Sequence, residues 1–202
     1  MKNVSGIILA GGKSRRLGQD KALIRLGTRT LIEIVLEKLR CLSDDVILST
    51  NEFDEFASLD VRMVQDIYRE GGVLGGLYSG LQSAKSPFAL VVACDMPFLN
   101  LNLLRFMVLH APGHDVVVPR LSTGIEPLHA IYARTCLEPI RETLEEGRLR
   151  IVDFWDRVRV CYIEEDEIEV LDPQKLSFFN INAPEDLDRA REIMASAHGV
   201  NW

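Results

Sequence analysis

The stretch LAGGKSRRLGQDK (residues 9–21) sets two adjacent glycines, Gly11 and Gly12, ahead of Lys13, Arg15, Arg16 and Lys21. Without a Cβ, the backbone at Gly11 and Gly12 can come close to a ligand. Successive N–H groups in such a turn form an anion cradle, and Arg16 and Lys21 can add charge-assisted bonds to phosphate oxygens. Residues 9–25 carry five basic side chains against a single acid, Asp20, inside a chain of net charge −7. The chemistry this points to is phosphate binding. Neither G-x-x-x-x-G-K-[ST] nor G-x-G-x-x-G is present, and a tight strand-to-helix turn with solvated arginines is the alternative.

Two carboxylates and two amides follow other apolar runs. Asp95 ends VVACD, where it can bind a cation, accept several hydrogen bonds, or cap the turn at Met96-Pro97. Beside a phosphate loop, Mg²⁺ is favoured, because that ion takes one or two carboxylates and completes its shell with phosphate and water. Asp66 closes a third apolar run, VRMVQD (61–66). Asn180 and Asn182 alternate and would share one side of an extended segment; alternatively Asn182 N-caps the last helix with Glu185 three residues on. EGGVLGGLYSG (70–80), with five glycines, reads as a mobile lid, a close-approach loop, or a plain flexible connection.

The elements that would hold these groups alternate in type. VSGIILA (4–10), DDVILST (44–50), VRMVQD (61–66), FALVVACD (88–95), DVVVPR (115–120) and VRVCYI (158–163) read as strands, the first as a buried parallel one and the fourth as the most apolar. TLIEIVLEKLR (30–40), with Leu31, Ile34, Val35 and Leu39 on one face, reads as a helix. So do LYSGLQSAK (77–85), LNLLRFMVLH (101–110), RTCLEPIRETLEEG (134–147) with Gly147 as its C-terminal stop, and PEDLDRAREIM (184–194). This alternation predicts a single-domain α/β fold, Rossmann-like and doubly wound, with a mostly parallel sheet and helices on both faces. The domain is expected over 1–197, with 198–202 as a loose tail. In such folds ligands bind at the carboxyl ends of the strands, where residues 9–21, Asp66 and Asp95 all fall.

Composition narrows the function classes. The acidic balance argues against a general nucleic-acid or membrane-surface binder. No apolar run reaches the roughly 18 residues of a membrane span, and the N-terminal apolar stretch of about six residues is too short for a signal peptide. Cys41, Cys94, Cys136 and Cys161 are scattered, as reduced thiols of a cytosolic protein would be. His110 and His114 are four apart, but Pro112 and Gly113 interrupt any helix between them.

In order, LAGGKSRRLGQDK, Asp66 with GGVLGG, CDMPFL (94–99), EPLHAIY (126–132) and NINAPEDL (180–187) resemble the motifs of molybdenum cofactor guanylyltransferases, the MobA-like proteins. These belong to the wider nucleotidyltransferases of the nucleotide-diphospho-sugar transferase type. The resemblance spans almost the whole chain. Leu17 stands for a usual methionine and Val73 for a usual proline. It implies a Mg²⁺-dependent transfer of GMP from GTP to the pterin-bound molybdenum cofactor, with release of pyrophosphate. Carried over by position, it implies that Leu9, Ala10 and Gly11 meet the guanine and ribose, Lys21 the phosphates, and Asn51 and Asp66 the nucleoside. Asp95 would bind Mg²⁺, and Asn180 and Asn182 would lie toward the acceptor or metal. Mg²⁺ on Asp95, with Lys21 and Arg16, would neutralise charge in the transition state. Proteins that deliver or accept the cofactor are the transient partners it implies. A cytidylyltransferase, a guanylyltransferase for another phosphorylated acceptor, and a non-catalytic nucleotide-binding module stay open. A Rossmann dehydrogenase does not fit, because its fingerprint is absent.

Overall fold

A computed structural model of the chain describes residues 4–11 and 20–196. Strand β1 (Val4–Leu9) leads, past a 3₁₀ turn at Lys21–Leu23, to a small hairpin, β2 (Arg25–Leu26) and β3 (Arg29–Thr30), and to α1 (Leu31–Arg40). Then come β4 (Val46–Ser49), β5 (Arg62–Val64), α2 (Gly72–Ser83), β6 (Phe88–Ala93) and α3 (Leu101–Leu109). The second half holds β7 (Val116–Leu121), β8 (Gly124–Ile125), β9 (His129–Ala133), α4 (Leu137–Glu145), β10 (Val160–Glu164), α5 (Glu165–Leu171) and α6 (Pro184–Ser196).

The main sheet runs β10-β7-β9-β6-β1-β4-β5, with β8 beside β7. β6, β1, β4 and β5 are mutually parallel, as are β7 and β10. Winding reverses at β1: β4 and β5 lie on one side and β6 on the other, which opens a crevice above the ends of β1 and β6. β9 runs antiparallel to both neighbours. The segment between Leu121 and His129 is too short for the crossover that a parallel strand needs, so the chain turns back through β8.

Both faces of the sheet are covered, which is why β1 reads as an unbroken apolar run. Successive residues point to opposite faces, so Ile8 joins Val35, Leu39, Leu103 and Met107 under α1 and α3, while Ile7 joins Leu77, Leu81 and Ile140 under α2 and α4. Each fully buried aliphatic side chain contributes about 1.5–3 kcal/mol relative to exposure. A third cluster (Ile24, Leu26, Leu31, Phe98, Ile181 and Ala190) joins the hairpin to α6.

Several sequence expectations change. The glycine-rich stretch 70–80 is neither lid nor loop: α2 begins at Gly72, not at Leu77. Its glycines serve close approach to the protein itself. A Cβ at Gly80 would stand 2.8 Å from Ile7 Cγ2, and one at Gly75 would stand 2.6 Å from the Tyr68 carbonyl oxygen. In α1, Ile32 and Leu36 are buried with Leu31, Val35 and Leu39, while Ile34 is half-buried against the third cluster. α5 starts where Glu167 accepts from the Glu164 N–H at 3.0 Å. Asn182 does not cap α6; Asp186 accepts from the Asn182 and Ala183 N–H groups at 2.9 Å each. Gly147 adopts φ 74° just past α4, as a helix stop requires.

Candidate active site

The carboxyl ends of β1, β4 and β5 and the start of α2 enclose a cleft of about 270 Å³. Leu9, Ala10 and Gly11 form its floor at the end of β1, with Ser49, Thr50 and Asn51 beside them after β4. Asp66 and Arg69, and Gly72, Val73 and Gly76 of α2, complete its lining. Backbone bonds join the floor: Ala10 N–H donates to Ser49 O at 3.0 Å, and Thr50 N–H to Val64 O at 3.0 Å. Among the described residues, a Cβ at Gly11 would meet nothing within 4 Å.

Asp66 is held from two directions. Ser49 Oγ donates to Oδ1 at 3.2 Å and Asn51 Nδ2 to Oδ2 at 2.9 Å, while the Asp66 N–H donates back to Asn51 Oδ1 at 3.1 Å. A carboxylate offers about four lone-pair sites, so each oxygen keeps acceptor capacity for a ligand. Sequence reasoning missed Ser49. It ends the strand DDVILST, and its small hydroxyl at a buried strand end was the available signal.

A second cluster lies across β1, at the end of β6. Lys21 Nζ stands 3.3 Å from Asp95 Oδ2 and also donates to Asn182 Oδ1. Each partner is positioned locally. Asp20 caps the 3₁₀ turn by accepting from Ala22 N–H at 2.8 Å, which presents Lys21. The Ile181 N–H donates to the Asp95 carbonyl at 3.0 Å, which stitches residues 180–182 to the Asp95 corner. Asn180 is not brought into this cluster; its amide turns back to the Phe178 carbonyl at 3.1 Å. The Asp95 and Lys21 side chains are 14% and 24% exposed, accessible enough to meet a ligand. Gly12 and Arg16 lie outside the described residues, as do Lys13 and Arg15.

The neighbouring Cys94 is no nucleophile: burial, and then the Asp95 carboxylate, hold its thiol protonated well above the ordinary range. Burial also raises the carboxyl of half-buried Glu126, whose backbone carbonyl accepts from the His129 N–H at 3.0 Å. Behind it His129 is fully buried, its ring 4.9 Å edge-on from Phe178, and burial lowers its pKa to about 3. Among the described residues, no group of three or more His, Cys, Asp and Glu side chains is assembled as a metal cage. The donors at Asp95 and Asn182 are oxygens, with one carboxylate, and this suits an ion that draws the rest of its shell from phosphates and water. The arrangement can hold a nucleoside in the cleft and place its phosphates over β1 toward Lys21 and Asp95.

A sequence profile of the MobA-like NTP transferase domain matches residues 6–158. The chain is 39% identical to a probable molybdenum cofactor guanylyltransferase of Pelotomaculum thermopropionicum, over 100% of this chain and 99% of that protein. It is 38% identical to the molybdenum cofactor guanylyltransferase of Desulfosudis oleivorans, over 94% and 95% respectively. The crystal structure of molybdopterin-guanine dinucleotide biosynthesis protein A from Archaeoglobus fulgidus matches with a TM-score of 0.85 at 28% identity, covering 97% of this chain and 100% of that one. A 2-C-methyl-D-erythritol 4-phosphate cytidylyltransferase from Thermus thermophilus shares the fold, with a TM-score of 0.71 at 19% identity over 96% and 99%. Since the profile takes in the cleft, Lys21 and Asp95, and the curated relatives align nearly end to end, the chain belongs to the MobA-like NTP transferase family.

Proposed function

We propose that this nucleotidyltransferase moves GMP from GTP to the terminal phosphate of the pterin-bound molybdenum cofactor, in a Mg²⁺-dependent reaction. The observation that carries the reading is the meeting of Lys21, Asp95 and Asn182 beside the Asn51–Asp66 cleft. The names of the full-length relatives support the substrates. An acceptor phosphate oxygen bonds to the α-phosphorus of GTP, the bond from that phosphorus to the bridging oxygen breaks, and the electron pair leaves with pyrophosphate. The attacking phosphate is already ionised near neutral pH, so the site needs positioning and charge neutralisation more than a strong base.

In this reading, Leu9, Ala10, Gly11, Asn51 and Asp66 hold the nucleoside, and Lys21 meets the triphosphate. Arg16 and Gly12 belong to the phosphate side of the same proposal. Asp95 would hold Mg²⁺, which supplies charge neutralisation on the α-phosphate and the leaving pyrophosphate. Asn182, through its contact with Lys21, lies on the acceptor side, and Asn180 is assigned there with it. We place the reaction in the cytoplasm, a setting that the four free cysteines suit. Among the described residues no helix is long and apolar enough to cross a membrane.

Calorimetric titration with GTP, CTP and ATP, with and without Mg²⁺, tests the nucleotide. Pyrophosphate release on adding the pterin acceptor tests the transfer. GTP preference with acceptor-dependent release is expected. CTP preference would move the chain to cytidylyl transfer, and binding without release would make it a nucleotide-binding module.

A further inference from the structure

Arg69 lines the cleft three residues past Asp66, and among the described residues no hydrogen bond or ion pair holds its guanidinium. It does not sit on a loose loop. The Gly71 N–H donates to the Tyr68 carbonyl at 2.9 Å and the Gly75 N–H to the Gly71 carbonyl at 3.0 Å, closing a turn around Arg69 that packs on α2. A Cβ at Gly71 would come within 2.9 Å of both the Tyr68 carbonyl oxygen and Gly75 Cα, so the turn has no slack. An uncommitted guanidinium on a fixed turn at the wall of a cleft is placed to meet a ligand.

Strand order tells which part of the ligand. Asp95 follows β6, and Asp66 and Arg69 follow β5, with β1 and β4 between. Three strand spacings are about 14 Å. With the phosphates near Lys21 and Asp95, Arg69 stands at the opposite, base end. Among the described residues, the cleft there has one fixed carboxylate, Asp66, and one guanidinium without a partner, Arg69. Guanine matches that pair of charges. Its N1–H and N2–H groups are adjacent donors for a carboxylate, and its O6 and N7 are adjacent acceptors for the arginine fork. Adenine would turn its amino donor toward the arginine, and cytosine has no second ring to carry an N7.

We infer that Arg69 is the base-selecting residue of this cleft, reading guanine through O6 and N7; the inference rests on the nucleotide reading above. Its fork geometry makes lysine a poor substitute.

The test is calorimetric binding of GTP, ATP and 7-deaza-GTP to the wild-type chain, Arg69→Ala and Arg69→Lys, with inorganic triphosphate as control. In wild type, loss of N7 should weaken binding about tenfold. Arg69→Ala should weaken GTP by about tenfold, abolish the 7-deaza difference and leave ATP and triphosphate nearly unchanged. Arg69→Lys should not restore the difference. Unchanged GTP affinity in Arg69→Ala would overturn the inference while leaving guanylyl transfer intact. Equal losses for GTP, 7-deaza-GTP and triphosphate would overturn it in favour of a phosphate contact. A wild-type chain that binds no GTP would overturn both readings.

Discussion

Lys21 and Asp95 are separated by 74 positions in the chain and meet with Nζ 3.3 Å from Oδ2. Three separate pieces of backbone create this contact: the 3₁₀ turn capped by Asp20, the end of β6, and the 180–182 segment bonded to the Asp95 carbonyl. Each side chain balances the charge of the other. In the proposed reaction the two have separate tasks.

Those tasks give two different losses. Asp95→Ala should lower Mg²⁺-dependent pyrophosphate release by about 10³-fold, the scale of a lost metal contribution of several kcal/mol. Lys21→Ala should weaken GTP binding about tenfold, the scale of one charge-assisted hydrogen bond. Both variants should melt close to wild type, because a partly exposed ion pair contributes only about 0–1 kcal/mol. Release assays, calorimetry and thermal melts together check this, and near-normal release by Asp95→Ala would remove Asp95 from the metal role.

Asn51 and Asp66 exchange two hydrogen bonds, so they should act as a unit. Asn51→Ala and Asp66→Ala should each weaken GTP binding, and the double variant should lose less than the sum. The expected coupling is about 0.5–3 kcal/mol. A double-mutant cycle in GTP affinity measures it, and strict additivity would mean that the two residues touch the ligand independently.

Adjacent glycines of α2 should respond differently to alanine. At Gly75 the new Cβ would lie 2.6 Å from the Tyr68 carbonyl oxygen. Gly75→Ala should therefore destabilise by about 1–3 kcal/mol, despite the roughly 1 kcal/mol that alanine gains over glycine in a helix. At Gly76 the nearest atoms, Ser49 Oγ and Asp66 Oδ1, would be 3.4 and 3.5 Å away, ordinary contact distances. Gly76→Ala should fold normally but narrow the cleft, raising the GTP Kd with little change in Tm.

His129 should make the fold acid-sensitive. Its pKa falls from 6.5 to about 3 through burial, and neither ring nitrogen has a hydrogen-bond partner among the described residues. The unfolded chain binds the proton more readily, so stability is full above the unfolded pKa and declines as pH drops from 6.5 toward 3. The contribution is about 1.4 kcal/mol per pH unit across that window. His129→Leu should flatten this limb in urea titrations at pH 7, 6 and 5. An unchanged pH slope would show that other groups carry it.

The strands were legible because burial on both faces leaves a continuous apolar run, as in VSGIILA and FALVVACD. The helix read over 101–110 from its stop at Pro112-Gly113 spans Leu101–Leu109. The start of α2 was not, because five glycines carry no helical signal of their own; only the nearness of Ile7 and Tyr68 shows why side chains are excluded there. β9 was obscure for a related reason, since its direction follows from a short return connection rather than from its own composition. Asn182 looked like a helix cap by spacing, but Asp186 performs that task and frees the Asn182 side chain for Lys21.

By itself the sequence determined the α/β class, the apolar strands and the candidates Gly11, Lys21, Asp66 and Asp95, because periodicity, side-chain type and turn chemistry are local properties. It also carried the family motifs. Only the tertiary structure decided which candidates meet. Lys21 reaches Asp95 and Asn182 while Asn180 does not, Ser49 and Asn51 lock Asp66, and Arg69, among the described residues, has no partner at the far end of the cleft. These encounters depend on strand order and register, which arise from the packing of distant segments and leave no mark in any short window of sequence.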